Sequence, residues 1–292
     1  MVLSILIGVR DGRATIEECL SSLEPQLDAR VEVIVADGSR DGTAELVDAH
    51  FPWVRLLRRE PMNGAQLRRE AFAASNGRLI ALAEPHVTFA PGWVSAALAV
   101  ERHGAAAVGG AVAPGRRRVR GIGPWAAFLC EYADFLPPLA AGPTVLTPGN
   151  NVVYRRAALE TSDLRGGLAK TWVNADLAKR GATFWADPSL LVQHERPYEF
   201  STFLSKRFHY GRCYGATRAR GRPRMRLIRA ASTPLLPALF TWRVIRAIMP
   251  KPRYLGRLVL SQPLLLLFHT WWAVGEACGY LAGPGDSCAR VY

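Results

Sequence analysis

The sequence predicts an α/β fold, a mainly parallel sheet with flanking helices, followed by a basic helical C-terminal region. Three observations carry this expectation. Strand-like apolar runs alternate with amphipathic runs from Val2 onward, and a strand–helix–strand unit closes right-handed onto a parallel sheet. Val31–Val35 is apolar but for Glu32 and ends in Ala36-Asp37-Gly38-Ser39, so a carboxylate stands at the carboxyl end of a buried strand, where open sheets place functional groups. The charge is divided: residues 206–292 hold 15 Lys/Arg and 2 Asp/Glu, whereas 1–205 hold 22 of each. The whole excess of +13 therefore lies in the C-terminal piece.

In order, Val2–Val9 reads as the first strand, and Thr15–Leu23 as a helix with Ile16, Cys19, Leu20 and Leu23 on one face. After the second strand, Asp41-Gly42-Thr43 opens a helix over Ala44–His50, with Thr43 or Asp41 as N-cap. Trp53–Arg58 is a short strand, Asn63–Gly77 a helix and Arg78–Ala83 a buried strand. Trp93–His103 is helical, Ala105–Val112 a small-residue strand, Gly115–Arg120 a basic loop and Gly123–Phe135 a helix. A helix from Lys170 and a strand over Thr183–Val192 complete a domain of residues 1–205, with residues 206–292 as the second.

A chain of 292 residues, 49% hydrophobic and 21% charged, is globular, not disordered. Its five cysteines are scattered and include no CxxC pair, which excludes a zinc module and predicts reduced thiols in a cytosolic protein. The N-terminus enters a strand directly, so no signal peptide is expected.

Four stretches carry chemistry. The turn Ala36-Asp37-Gly38-Ser39-Arg40-Asp41-Gly42-Thr43 follows the second strand. Glu84-Pro85-His86 ends the buried strand, with Pro91-Gly92-Trp93 shortly after. Gly149-Asn150-Asn151 precedes Arg155-Arg156, and His194 follows the last strand. In this order and spacing they resemble the family 2 glycosyltransferases, which have the Rossmann-like GT-A fold. The resemblance covers residues 2–205 and implies transfer of a sugar from a nucleotide-sugar donor.

It also implies roles. Gly8, Val9, Arg10 and Asp11 match the loop that cups the nucleotide base, and Arg10 can stack its guanidinium there or be a plain surface arginine. Asp37 would hold the nucleoside, and Arg68 would face the diphosphate or brace the site, with Arg69 where the family commonly has Asn. The Pro91-Gly92-Trp93 register places Glu84 and His86 on the family's two aspartates, which bind ribose and a divalent cation. Glu84, His86 and His194 become the metal set, with imidazole suiting Mn²⁺ better than Mg²⁺. Asn150 and Asn151 would offer amides to sugar hydroxyls. The family's acidic pair falls on Val173 and Asn174, and Asn cannot accept a proton. Asp176 is then the expected catalytic base, with Asp163 as a second candidate. A catalytically degenerate nucleotide-sugar-binding scaffold is the alternative.

The C-terminal piece mixes arginine with aromatics over Phe200–Arg229, then becomes strongly apolar over Leu235–Met249 and Leu258–Leu281. Leu258–Gly275 carries no formal charge over 18 residues, the lower limit for a membrane span. Arg243, Arg246, Lys251, Arg253 and Arg257 lie between or beside these blocks. That pattern predicts an anionic membrane surface as partner, at the cytoplasmic face, or else an all-helical core subdomain under a basic surface; with the resemblance, the membrane reading implies a lipid-linked or glycan acceptor. A nucleic-acid partner is not expected, because a nucleic-acid arm needs no long apolar helices.

Overall fold

The computed structural model describes residues 1–115, 117, 119–219 and 223–291. They form two compact units, one of Met1–Gly115 with Phe135–Arg196, the other of Arg116–Asp134 with Pro197–Tyr292. This division differs from the expected one in two ways: it falls at Arg196 instead of 205, and it moves residues 116–134 to the second unit.

Along the chain, the first unit holds β1 (Leu3–Val9), α1 (Ile16–Leu23), β2 (Val31–Asp37), α2 (Thr43–His50), β3 (Arg55–Arg58), α3 (Gly64–Ala74), β4 (Leu79–Ala83), β5 (Val87–Phe89), α4 (Trp93–Leu98) and β6 (Ala107–Pro114). The second unit then takes α5 (Ile122–Tyr132). The chain returns to the first with β7 (Gly142–Thr144), β8 (Asn151–Arg155), α6 (Arg156–Glu160), α7 (Lys170–Lys179) and β9 (Phe184–His194). The second unit ends with α8 (Phe200–Ala219), α9 (Pro223–Ser232), α10 (Leu236–Ile248), α11 (Leu255–Ala282) and α12 (Ser287–Val291).

The sheet runs β3-β2-β1-β4-β8-β6-β9-β5, with β7 on β9. β3-β2-β1-β4 is parallel, as the βαβ pattern requires. Beyond it the sheet is mixed, since β8 is antiparallel to both β4 and β6. All seven residues of β1 are buried, as expected of a strand covered on both faces. Asn63 starts α3 with a capping box: its side chain accepts from the Gln66 N–H at 2.9 Å, and Gln66 Oε1 accepts from the Asn63 N–H at 3.1 Å. The core on one face of the sheet is Leu6, Ile34, Leu82, Val152 and Tyr154 under Leu67, Ala71 and Leu177.

The second unit is helical. α8 and α11 pack backbone to backbone: a Cβ on Gly211 or Gly215 would strike the carbonyls of Trp272 and Glu276, and one on Gly275 or Gly279 those of Phe208 and Arg212. α5 contributes Ala126 and Ala127 to a small core with Phe268 of α11 and Phe203 of α8. The expectation of five reduced thiols is corrected here: Cys213 of α8 and Cys288 of α12 form a disulfide, with Cα atoms 5.0 Å apart. The two are separated by 75 residues, so no local spacing announces the pair. Among the described residues one helical stretch, Pro252–Ala282, is long and apolar enough to cross a membrane.

Candidate active site

Parallel register aligns the strand ends. Val9 of β1 pairs with Asp37 of β2, and Ile7 pairs with Ala83 of β4, so Asp37 and Glu84 leave the sheet at the same edge, on either side of β1. The loops after β1 and β2 are joined there. The Asp11 N–H donates to Ser39 Oγ (2.8 Å), the Gly12 N–H to Thr43 Oγ1 (3.1 Å) and the Arg13 N–H to Asp41 Oδ2 (3.0 Å). Ser39 Oγ in turn donates to Asp37 Oδ1. Asp11 takes a positive φ of 57°, which Asp tolerates, and its Oδ1 accepts from the Arg40 N–H.

Asp37 is only 3% exposed, and burial raises its carboxyl above the usual range against the pull of its Ser39 hydrogen bonds. Arg10 and Asp11 lie exposed at the rim. Gly8 and Val9 are buried at the end of β1: a Cβ on Gly8 would come 2.9 Å from the Gly64 carbonyl oxygen, and the Val9 carbonyl accepts from the Gly38 N–H. These two shape the loop but leave no side-chain surface for a nucleotide base.

The second focus lies at the ends of β4 and β9. One ligand atom each from Glu84, His86 and His194 fall within 4.8 Å of one another. His86 Nε2 is 2.9 Å from Glu84 Oε2, and the two imidazoles meet edge to face with centroids 4.9 Å apart. The short turn after β4 folds back as β5, whose Val87 pairs with His194; that pairing joins positions distant in sequence. Burial disfavours charge on Glu84, yet His86, Arg68 and Arg196 outweigh it and hold the carboxyl far below its usual range. Burial, with His86 adding to it, pushes His194 well below an ordinary histidine, so its imidazole stays neutral near pH 7. One carboxylate and two imidazoles are a donor set for a borderline divalent cation, Mn²⁺ more than Mg²⁺.

β8 and α7 close the site. Asn150 continues the β4–β8 register opposite Glu84, one place beyond the Ala83–Asn151 pair. It is fully buried, and among the described residues neither of its amide atoms has a hydrogen-bond partner. A native protein rarely leaves such a group unpaired, and a polar ligand is one reason to do so. Asn151 faces the other way. It accepts from Trp93 Nε1 (2.8 Å) and donates to the carbonyls of Ala111 (2.9 Å) and Leu190 (2.7 Å). Its amide is consumed by the fold, which corrects its expected role as a sugar ligand.

Asp176 is corrected in the same way. Lys170 and Asn174, one turn apart on α7, both bond Thr147: Lys170 Nζ donates to its carbonyl at 2.9 Å and Asn174 Nδ2 to its hydroxyl at 2.7 Å. Asp176 lies about 200° round the helix from Asn174, half-exposed and paired with Arg180 at 2.8 Å. Asp163 is likewise a surface partner of Arg165. Sequence reasoning missed Lys170 and Arg196. Burial lowers the Lys170 ammonium from its ordinary value, and Glu84 partly restores it. The signal available was the Lys170/Asn174 spacing, with both residues on the site face of one helix.

The mixed α/β sheet thus carries a buried carboxylate, Asp37, and a carboxylate–imidazole cluster at the carboxyl edge of its parallel strands. The chain belongs to glycosyl transferase family 2, whose profile matches residues 4–160. The chain is similar to solved structures, the first of which shares its fold. TarS 1-349 of S. aureus in complex with UDP-GlcNAc is 14% identical, covering 100% of this chain and 93% of that one, with a TM-score of 0.53. The same protein with UDP is 16% identical, covering 96% and 90%, with a TM-score of 0.49. The mannosyltransferase PcManGT from Pyrobaculum calidifontis, in complex with GDP-Man and Mn²⁺, is 19% identical, covering 96% and 74%, with a TM-score of 0.46. No curated protein matches the chain. The expected GT-A fold and glycosyltransferase class therefore hold.

Proposed function

We propose that this glycosyltransferase moves a sugar, with inversion, from a nucleoside diphosphate donor to a lipid-linked or membrane-proximal acceptor at the cytoplasmic face of a membrane. The observation that carries the donor reading is the Glu84–His86–His194 set facing Arg68, Lys170 and Arg196 at the carboxyl edge of the sheet. Three fixed cations beside a carboxylate–imidazole cluster suit a diphosphate. Asp37, with Arg10 and Asp11 at the rim, takes the nucleoside. Arg68, Lys170 and Arg196 hold the diphosphate oxygens, and Asn150 meets a sugar hydroxyl. Glu84, His86 and His194 hold the divalent cation. When bound, that ion supplies positive charge to the leaving diphosphate. A single in-line displacement inverts the anomeric carbon.

A second reading, a nucleotide-sugar-binding scaffold without turnover, is favoured by one observation: the site face of α7 carries Lys170 and Asn174, not an acid. Donor hydrolysis and transfer with Mn²⁺ over a panel of UDP- and GDP-sugars separates the two. On the transferase reading, one donor raises the Tm and is turned over, and Glu84→Gln lowers turnover about 100-fold or more. A Tm rise with no turnover by the wild type leaves the scaffold. No Tm rise with any donor overturns both.

A further inference from the structure

We propose that the outward faces of α10 and α11 form an in-plane docking surface for an anionic lipid bilayer, entering one leaflet without crossing it. This deepens the membrane-proximal reading above and rests on it for its orientation, though not on sugar transfer.

The exposed stripe is apolar. On α11, Val259, Leu260 and Leu266 lie exposed along the helix, with Val259 68% exposed, and Trp271 is part-exposed beside Phe208 of α8. α10 adds Leu239 and Trp242, the latter 60% exposed. Exposed side chains of this size along two helices that pack together mark a binding surface, not ordinary surface scatter. Arginines border it. Arg243 lies 5.9 Å from the Phe240 ring centroid, Arg253 4.6 Å from that of Tyr254 and Arg257 5.5 Å from that of Trp125. Tryptophans within an apolar face and arginines resting on aromatic rings at its border are the composition of a headgroup boundary. The excess of 15 basic over 2 acidic residues in 206–292 selects an anionic lipid over a second copy of this equally basic unit.

The geometry favours lying over crossing. From Val259 to Leu281, itself 58% exposed, the apolar stripe is about 33 Å long at 1.5 Å per residue, so length alone permits a crossing and what α11 packs against decides. The buried side of α11 also carries polar groups. Glu276 accepts from Trp272 Nε1 (2.9 Å) and Tyr280 Oη (2.7 Å), and the Arg207 guanidinium of α8 sits 4.4 Å over the Trp272 ring. α8 is locked to α11 through their paired glycines and carries Lys206, Arg207, Arg212 and Arg218. A spanning α11 would take these charges into hydrocarbon with it.

The test uses the full chain and vesicles of phosphatidylcholine, alone or with one-third phosphatidylglycerol. Co-flotation is expected with the anionic vesicles, weakening steeply with salt. Arg243→Gln, Arg253→Gln and Arg257→Gln should each weaken it about fivefold, and Leu266→Glu should abolish it. Lipids brominated near the headgroup should quench tryptophan fluorescence more than those brominated near the chain end. Because that last measurement needs no variant, it stands if Leu266→Glu fails to fold. Stronger quenching at the chain end, with resistance to alkaline carbonate extraction, would mean a span and overturn the proposal. So would a protein that ignores both vesicle types, or a wild-type dimer in light scattering that Leu266→Glu turns to monomer while vesicle binding is unchanged. Donor-induced Tm shifts and turnover, read without lipid, report on the sugar-transfer reading separately.

Discussion

Two adjacent asparagines show how far residue identity alone can reach. Asn150 and Asn151 alternate across β8, so one faces the site and the other the interior of the sheet. The sequence treats them alike, because side-chain chemistry and spacing suit both for a sugar hydroxyl. Only the partners separate them: among the described residues three hydrogen bonds hold the Asn151 amide, and none holds that of Asn150. Asn151→Ala strands the indole N–H of Trp93 and two buried carbonyls, and is expected to cost about 3 kcal/mol. Asn150→Ala removes a buried amide that has no partner, so stability should hold or rise by up to about 1 kcal/mol. Its kcat/KM for donor should nonetheless fall about 10- to 100-fold, since a site built to bond a hydroxyl loses that contact. Thermal unfolding and donor kinetics on both variants check the pair; a stability loss at Asn150 equal to that at Asn151 would refute the division. The places of Asp37 and Glu84 at strand ends were legible because a carboxylate closing an apolar strand is a local pattern. Asp176 was misplaced because its direction depends on helix phase, which is set by Lys170 and Asn174 bonding Thr147.

At the level of elements, the parallel half of the sheet was readable because each strand is a short apolar run closed by turn formers. The start of α3 was readable from Asn63 and Gln66. What could not be read was pairing between distant elements. Gly211-x3-Gly215 and Gly275-x3-Gly279 are both visible as spacings, but nothing local says that each fills the other's groove. The Cys213–Cys288 bond is hidden for the same reason. The zipper is tested by Gly275→Leu, which sets a side chain against the Phe208 carbonyl and must push α8 and α11 apart. The expected loss is about 3 kcal/mol or more, in the range of severe overpacking. Gly256→Ala is the matched control: it lies on the same helix with nothing within 4 Å of the new methyl, and is expected to gain about 0.5 kcal/mol. Equal Tm values for the two variants would show that the close approach carries no stability.

For the whole molecule, the informative discrepancy is α5. Composition places residues 116–134 with the first domain, since the charge excess begins only after residue 205. Packing places them with the second, because Ala126 and Ala127 meet Phe268 and Phe203 there. Charge is a surface property and marks where a solvent-facing or lipid-facing region begins; it does not report which core a buried helix joins. The consequence concerns truncation. A chain ending at residue 205 keeps α5 but loses α11, and so exposes Ala126 and Ala127, both buried against Phe268 in the intact protein. Such a fragment is expected to aggregate, through the loss of the surface that covered α5, whatever the first unit's own stability. Removing 116–134 as well, with a short Gly/Ser linker joining Gly115 to Phe135, takes away only residues of the second unit. The bridged fragment ending at Arg196 should be monomeric by size-exclusion chromatography with light scattering. If the simple 1–205 fragment is equally monomeric, α5 does not depend on the second unit for its burial.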